Sequence, residues 1–280
     1  MDYCFSDILQ AYRTAGLQPG QIVHVKSNLA TLGIMEDDSE KPILERDVFL
    51  KMHYEALREC VTERGTIVMG AATERLMGTT TPFDLENTPG EVGIFAEFLR
   101  NRKGVVRSLH PFCSYVAEGP MAERICADVS RNDYGPFTPE GRMCQLGAWD
   151  LSLGLEPHTT CSVVHHAEFT MGVPYRYQKE FMHPLKLPSG EIRTEPFYCY
   201  LWYRGMYPDC DSLDRGGENR NKHFFREFRQ RSHPLKMASL GRSAMWHYPM
   251  AEFFETCMEM IQKNPYAYLA RPPVHRPYQK

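Results

Sequence analysis

The chain has 280 residues, 42% of them hydrophobic and 24% charged, with a formal net charge of −3. That composition excludes a disordered polypeptide and leaves room for one large α/β domain or two modest ones. A mild negative charge without any Lys/Arg-rich tract gives no field to hold nucleic acid, and no apolar run is long enough to cross a bilayer. The start, MDYCFSDILQAYRTAG, has early acidic residues and no apolar core, which points away from secretion. Nine cysteines, an odd number with no CxxC pair, fit reduced thiols in the cytoplasm better than a disulfide framework or a zinc ribbon.

In chain order, residues 5–17 place Ile8, Leu9, Tyr12 and Leu17 at helical spacing, closed by Gly16 and the Pro19-Gly20 turn. Residues 21–25 (QIVHV) form a strand running into Lys26, Ser27, Asn28 and Leu29. Such a junction can present free backbone N–H groups to an anion, or can be a plain capped helix. An acidic loop over 35–41 precedes an amphipathic helix over 46–64, with Val48, Phe49, Met52, Leu57 and Val61 as its buried stripe. TIVMG (66–70) reads as a buried strand, and Thr88-Pro89-Gly90-Glu91 caps a helix over 91–102. Strand pieces at 105–111 and 114–119 follow, with His110 kept extended by the proline after it. A helix over 120–130 then leads through a constrained loop, 133–143, to a short helix.

The stretch LSLGLEPHTTCSVVHHAE (151–168) reads as a strand end, a break at Pro157, and a helix opened by Thr159 or Thr160. Beyond it a PSG turn joins extended pieces, 197–203 forms a strand, and the polar loop 208–221 has the composition of a lid. A helix over 222–229, a strand over 236–240, a helix over 249–263 burying Phe253, Phe254 and Met258, and a Pro-rich basic tail complete the chain. Aromatic residues concentrate after residue 168, which suggests an aromatic-walled second half. No internal repeat is present.

The candidate chemistry lies in the central stretch. A strand feeding a loop and a helix start is where open α/β sheets hold ligands. Cys161, Ser162, His165 and Glu168 are spaced to share one helical face. An imidazole near a helix start with a carboxylate beside it is a candidate general base, since the helix dipole favours a proton-accepting ring. The bland alternative is a surface His–Glu contact worth a few tenths of a kcal/mol. Two other chemistries compete. Cys161, one turn before His165, is placed to act as a thiolate nucleophile. His110, His158, His165 and His166 are candidate metal ligands, although no HExxH or paired spacing supports them.

Six segments occur in a fixed order: VHVKSNLATLG, GTIVMG, NTPGEVGIFAEFLR, VVRSLHP, YGPFTPEGRM and HHAEF. Together they resemble the aminoglycoside 3-N-acetyltransferase family over nearly the whole chain. The resemblance implies a single domain, 1–280, with the three-layer α/β/α fold of that family. It implies a cytoplasmic acyltransferase using acetyl-CoA as co-substrate, without a metal, on a small-molecule amine, with a homodimer among its open assemblies. Carried over residue by residue, His165 matches the family's catalytic histidine, Glu168 its following glutamate, and Ser162 its hydroxyl residue. Ser27, Ser108, His110 and Pro111 match the turns bordering CoA. Ser162, or backbone N–H groups of the Ser27 or Ser108 turns, then serve as oxyanion donors.

The chain departs from the family at Ala71-Ala72-Thr73, where many members have Pro-Thr, and at Gly241-Arg242-Ser243-Ala244, where Gly-Glu-Ala is common. Another family acid falls at Pro249. Fewer carboxylates suit a polycation less well. A biosynthetic N-acyltransferase for a non-aminoglycoside amine, or a CoA-binding homologue without activity, are therefore the alternatives.

Overall fold

A computed structural model describes residues 2–203, 221–231 and 235–269. The expected lid therefore lies outside the described residues except for Asn221, and so does the tail beyond Leu269. β1 (Tyr3–Cys4) leads into α1 (Phe5–Thr14), which buries Ile8, Ala11 and Tyr12. β2 (Ile22–Ser27) outlasts the predicted 21–25 because its alternation continues. Val23 and Val25 join one core, while His24 and Lys26 meet Asp150 on the other face. Lys26 and Ser27 thus form a strand end, followed by a single 3-10 turn, Leu29–Leu32.

β3 (Met35–Glu36) pairs with β1, and α2 (Arg46–Val61) follows. Its buried stripe is Leu50, His53, Tyr54, Leu57 and Val61, while Val48 is 40% exposed. Of the expected stripe, Leu57 and Val61 are buried and Phe49 and Met52 pack against the same core, while Val48 falls outside it. His53 is a core residue that the pattern left out, and burial pushes its imidazole down to about 3. β4 (Thr66–Gly70) and β5 (Phe83–Asp84) come next. α3 (Ile94–Arg100) is shorter than the expected 91–102. The Gly90 N–H donates to the Glu97 carboxylate at 3.0 Å, holding the Pro-Gly segment as a loop outside the helix.

β6 (Val106–Arg107), β7 (Tyr115–Glu118) and α4 (Ala122–Cys126) are shorter than their sequence pattern suggests. α5 (Pro139–Gln145) is opened by Thr138, whose hydroxyl accepts the Gly141 N–H. β8 (Trp149–Leu153) leads to α6 (Ser162–Met171), which ends at Gly172 in the left-handed conformation that glycine tolerates. β9 (Arg176–Lys186) and β10 (Ile192–Trp202) form a long hairpin around the PSG turn. α7 (Asn221–Arg229), β11 (Lys236–Leu240), β12 (Ser243–Pro249) and α8 (Met250–Lys263) complete the order. β12 is a strand where the sequence reading places none, and α8 buries Phe253 and Cys257 more fully than Phe254 and Met258.

The main sheet has seven strands in the order β11-β12-β8-β2-β4-β7-β6. Its centre, β8-β2-β4, is parallel, and the flanking strands are antiparallel. One face packs on α1, α2 and α3 through Ile8, Leu57, Phe95 and Leu99. The other packs on α4 to α8 through Ile125, Met143, Val164, Phe224 and Phe253. These are three layers, α/β/α. The hairpin joins β5 in a separate three-stranded sheet over Phe83, Phe112 and Phe197. Among the described residues no helix is long and apolar enough to cross a membrane.

The phase of α2 is directly testable. Leu57→Ala is expected to lower unfolding free energy by about 2–5 kcal/mol in urea titration. Val48→Ala is expected to stay within about 0.5 kcal/mol.

Candidate active site

The parallel strands β2 and β4 end at the same edge of the sheet, beside the segment that follows β8. Their ends enclose a cleft of about 640 Å³. This is the edge where open α/β sheets place ligands, because the loops diverge there. Lys26 and Ser27 come to the cleft from β2, Gly70 and Glu74 from the β4 end, and Ser162 and His165 from α6. Gly154 closes the end of β8 at φ +67°, where a Cβ would lie 2.4 Å from the Asn28 carbonyl oxygen.

α6 opens at Ser162 with Cys161 as its N-cap, not at Thr159 or Thr160. The reason is local: the Thr159 hydroxyl donates back to the Glu156 carbonyl at 2.7 Å and holds a separate turn. The expected shared face also divides. Ser162 and His165 line the cleft, whereas Glu168 is fully buried behind them.

His165 Nδ1 lies 2.6 Å from Glu168 Oε2 and 3.0 Å from an Arg176 guanidinium nitrogen. One ring nitrogen cannot donate to the first and accept from the second. The carboxylate contact is the shorter, and a proton on Nδ1 satisfies it, leaving the Nε2 lone pair as the ring's acceptor. Glu168 Oε1 accepts from the Tyr175 hydroxyl at 2.7 Å, and Arg176 Nε forms an ion pair with Oε2 at 3.0 Å. Burial pushes the Glu168 carboxyl up, but Arg176 and then His165 outweigh it and hold it below its ordinary value. Tyr134 and Tyr268 present ring edges to the imidazole, at 5.9 and 5.3 Å between centroids.

Ser162 donates its hydroxyl to Glu140 Oε1 at 2.9 Å, so the proton expected for an oxyanion is already committed. Glu140 is fully buried, and its other oxygen accepts from the Tyr115 hydroxyl at 2.6 Å. Deeper in the cleft Lys26 donates to buried Asp150 at 2.7 Å. Burial pushes the Lys26 ammonium down, yet Asp150 outweighs it and keeps the pKa above its ordinary value.

Ser27 lines the cleft, whereas Ser108, His110 and Pro111 are buried behind its wall. The Ser108 hydroxyl accepts the Tyr115 N–H, and His110 Nδ1 accepts the N–H groups of Phe112 and Cys113. They close the turn that delivers Cys113, Ser114 and Tyr115 to the cleft. Arg107 ties this turn to its neighbours by donating to Ser114, Ala71 and Leu85.

The competing chemistries fare differently. Cys161 touches the cleft, but burial pushes its thiol up to about 12, which disfavours a thiolate. His166 stacks on Phe254 and accepts the Gly135 N–H, while His110 sits among Phe112 and Phe197. No group of three or more His, Cys, Asp or Glu among the described residues is arranged to hold a metal ion. Arg176, Tyr175 and Glu140 are site residues that the sequence reading missed, and Lys26, read there only as part of a strand-end junction, acts through its side chain. Arg176 sits inside the PYRYQK segment, but nothing in its spacing points to His165, 11 residues away.

Solved structures share this three-layer architecture. The aminoglycoside acetyltransferase AAC(3)-Xa superposes with a TM-score of 0.77 at 21% identity, covering 92% of each chain. AAC-VIa bound to sisomicin gives 0.76 at 19% identity, over 94% of this chain and 98% of that one. AAC-IIIb in a binary complex with CoASH gives 0.74 at 21%, over 97% and 100%. Aminoglycoside N(3)-acetyltransferase III from Salmonella sp. is 29% identical over 204 residues, 66% of this chain and 67% of that one. Its counterpart VIII from Streptomyces fradiae is 40% identical over 101 residues, 36% and 35% of the two chains. The profile of a family of acyltransferases matches residues 45–262, the greater part of the chain. The chain belongs to that family, aminoglycoside 3-N-acetyltransferase.

Because the Glu168 carboxyl sits below its ordinary value of 4.5, the stability it contributes is present above that value. It is lost as pH falls through the lower folded value. Glu168→Gln is expected to lower the melting temperature at neutral pH and to flatten its decline toward about pH 3, followed by calorimetry.

Proposed function

We propose that this chain, acting as one domain over residues 1–280, transfers an acetyl group from acetyl-CoA to an amino group of an aminoglycoside or related amine. The observation that carries the reading is His165, set on the cleft wall with Nδ1 bound to Glu168 and Nε2 left to accept a proton. The cleft suits the co-substrate: Val25, Met69 and Ala96 form an apolar strip beside Ser27 and Ser114, a match for a thin arm carrying amides. Acetyl-CoA supplies a thioester carbonyl that is already electrophilic.

His165 takes a proton from the amine nitrogen at Nε2 as the C–N bond forms, and returns it to the sulfur when the C–S bond breaks. Glu168 and Arg176 orient the ring, and Glu168 offsets the positive charge it gains. Since the Ser162 proton is engaged by Glu140, charge on the carbonyl oxygen falls to backbone N–H donors, with the uncapped first turn of α6 and the Ser27 turn on the wall. Ser108, His110 and Pro111 serve CoA by shaping the 108–115 turn. The free cysteines among the described residues support a reducing compartment such as the cytoplasm, with the chain as monomer or homodimer.

One observation favours a second acceptor class, an amine of lower charge, handled by the same chemistry. Among the described residues lining the cleft Glu74 is the only acid, and the Asp150 carboxylate beneath the cleft is already engaged by Lys26.

The test is a panel of amines, with sisomicin as the polycation, incubated with acetyl-CoA and read by release of free thiol. His165→Ala is expected to reduce that release by about 10²–10⁴-fold while leaving CoA affinity within about threefold; undiminished turnover would remove His165 from the role. Cys161→Ser is expected to leave turnover nearly intact, and a lost activity there would revive an acyl-enzyme.

A further inference from the structure

We infer that Ser162 receives an N–H of the acceptor, so that the site selects a primary amine, and that buried Glu140 is the positioning residue that turns Ser162 to this task. The inference rests on the acetyl-transfer reading above and adds to it the class of nitrogen that is accepted.

Glu140 stands in the first turn of α5, whose N-terminal end favours a negative charge. It is 0% exposed, and each oxygen is met by one hydroxyl: Oε1 by Ser162 at 2.9 Å and Oε2 by Tyr115 at 2.6 Å. A carboxylate accepts and does not donate, so both hydroxyl protons point at it. Burial, and then Glu140 itself, raise the Tyr115 pKa well above its ordinary value, so that phenol keeps its proton in the bond. Ser162 has a single proton, and it faces away from the cleft. What Ser162 offers the cleft is a pair of oxygen lone pairs.

His165 lies one helical turn further on and also lines the cleft. With its Nδ1 proton directed at Glu168, it presents a second lone pair, on Nε2. Positions three apart on a helix are neighbours, with about 5–6 Å between Cβ atoms. The wall therefore carries two adjacent acceptors. A primary amine matches them with two N–H bonds, one to Ser162 Oγ and one to His165 Nε2. Its nitrogen lone pair is left free for the carbonyl carbon. An N-methylated amine has one N–H in its reactive form and must leave an acceptor without a proton, as must a hydroxyl; a desolvated acceptor left so is costly. The same geometry removes Ser162 from the oxyanion, because donating there would require taking its proton from Glu140.

The experiment compares sisomicin with its derivative methylated at the acetylated nitrogen, using thiol release from acetyl-CoA. The unmodified chain is expected to favour the primary amine by about tenfold or more in kcat/KM. Ser162→Ala is expected to raise the sisomicin KM about tenfold, to hold kcat and the acetyl-CoA KM within about threefold, and to erase the preference. Ser162→Thr, which keeps a hydroxyl, is expected to retain it. Glu140→Gln is expected to reproduce the KM shift, since its amide can donate to Ser162 and release the hydroxyl proton into the cleft. Should Glu140→Gln fail to fold, the Ser162 pair decides alone. A fall of about 10²–10³-fold in kcat for Ser162→Ala with both KM values unmoved would make Ser162 an oxyanion donor and overturn the inference. Equal losses for the two amines would overturn it as well. Absence of any transfer by the unmodified chain would take down the acetyl-transfer reading and this inference with it; transfer that depends on His165 but ignores Ser162 would overturn this inference alone.

Discussion

The site depends on one buried charge, the carboxylate of Glu168. Removing it from water is costly, and three groups offset that cost: the Arg176 guanidinium, the Tyr175 hydroxyl and His165. A buried ion pair of this kind contributes little net stability, but it removes freedom from every side chain that touches it. His165 is thereby held in one tautomer and one orientation, with its accepting nitrogen on the cleft. Arg176 is the first residue of β9, so the long hairpin supplies the cation that pairs with Glu168 on α6. Trp202, Tyr200 and Tyr268 stack around the guanidinium and keep competing water from it.

The cleft itself follows from sheet topology. β8, β2 and β4 run in parallel and stop at one edge, so the loops leaving them cannot fill the space between. Polar side chains on the helix-covered face of those strands, Lys26 and Asp150 among them, would be anomalous in a simple core. Here Lys26 lines the cleft and Asp150 lies buried beneath it, and their pairing keeps two buried charges tolerable. Glu140 repeats the device with hydroxyl partners in place of a cation. The wall around the acceptor position is consequently preset in its proton directions as well as its shape.

Much of the frame was legible in the chain. The strands at 66–70 and 236–240 and the hairpin turn were marked by apolar runs bounded by Gly, Pro and Ser. α2 was legible in extent and in most of its buried stripe, but His53 was not, because a periodicity count treats histidine as surface. β12 went unread although it forms a tight hairpin with β11 across Gly241-Arg242; the pairing with β8 that completes it is long-range. The shortened helices at 94–100 and 122–126 lost ends to loop hydrogen bonds that no propensity scale contains.

The sequence by itself determined the family, the layered class of fold and the pair His165 and Glu168, because collinear segments and an i,i+3 spacing are properties of the chain alone. Only the tertiary structure decided which nitrogen of His165 faces the cleft, that Ser162 gives its proton to Glu140, and that Ser108 and His110 stand behind the wall. The physical reason is the same in each case. Proton direction and exposure are set by partners from distant segments, Arg176 and Tyr115 here, and such partners have no signature in local order.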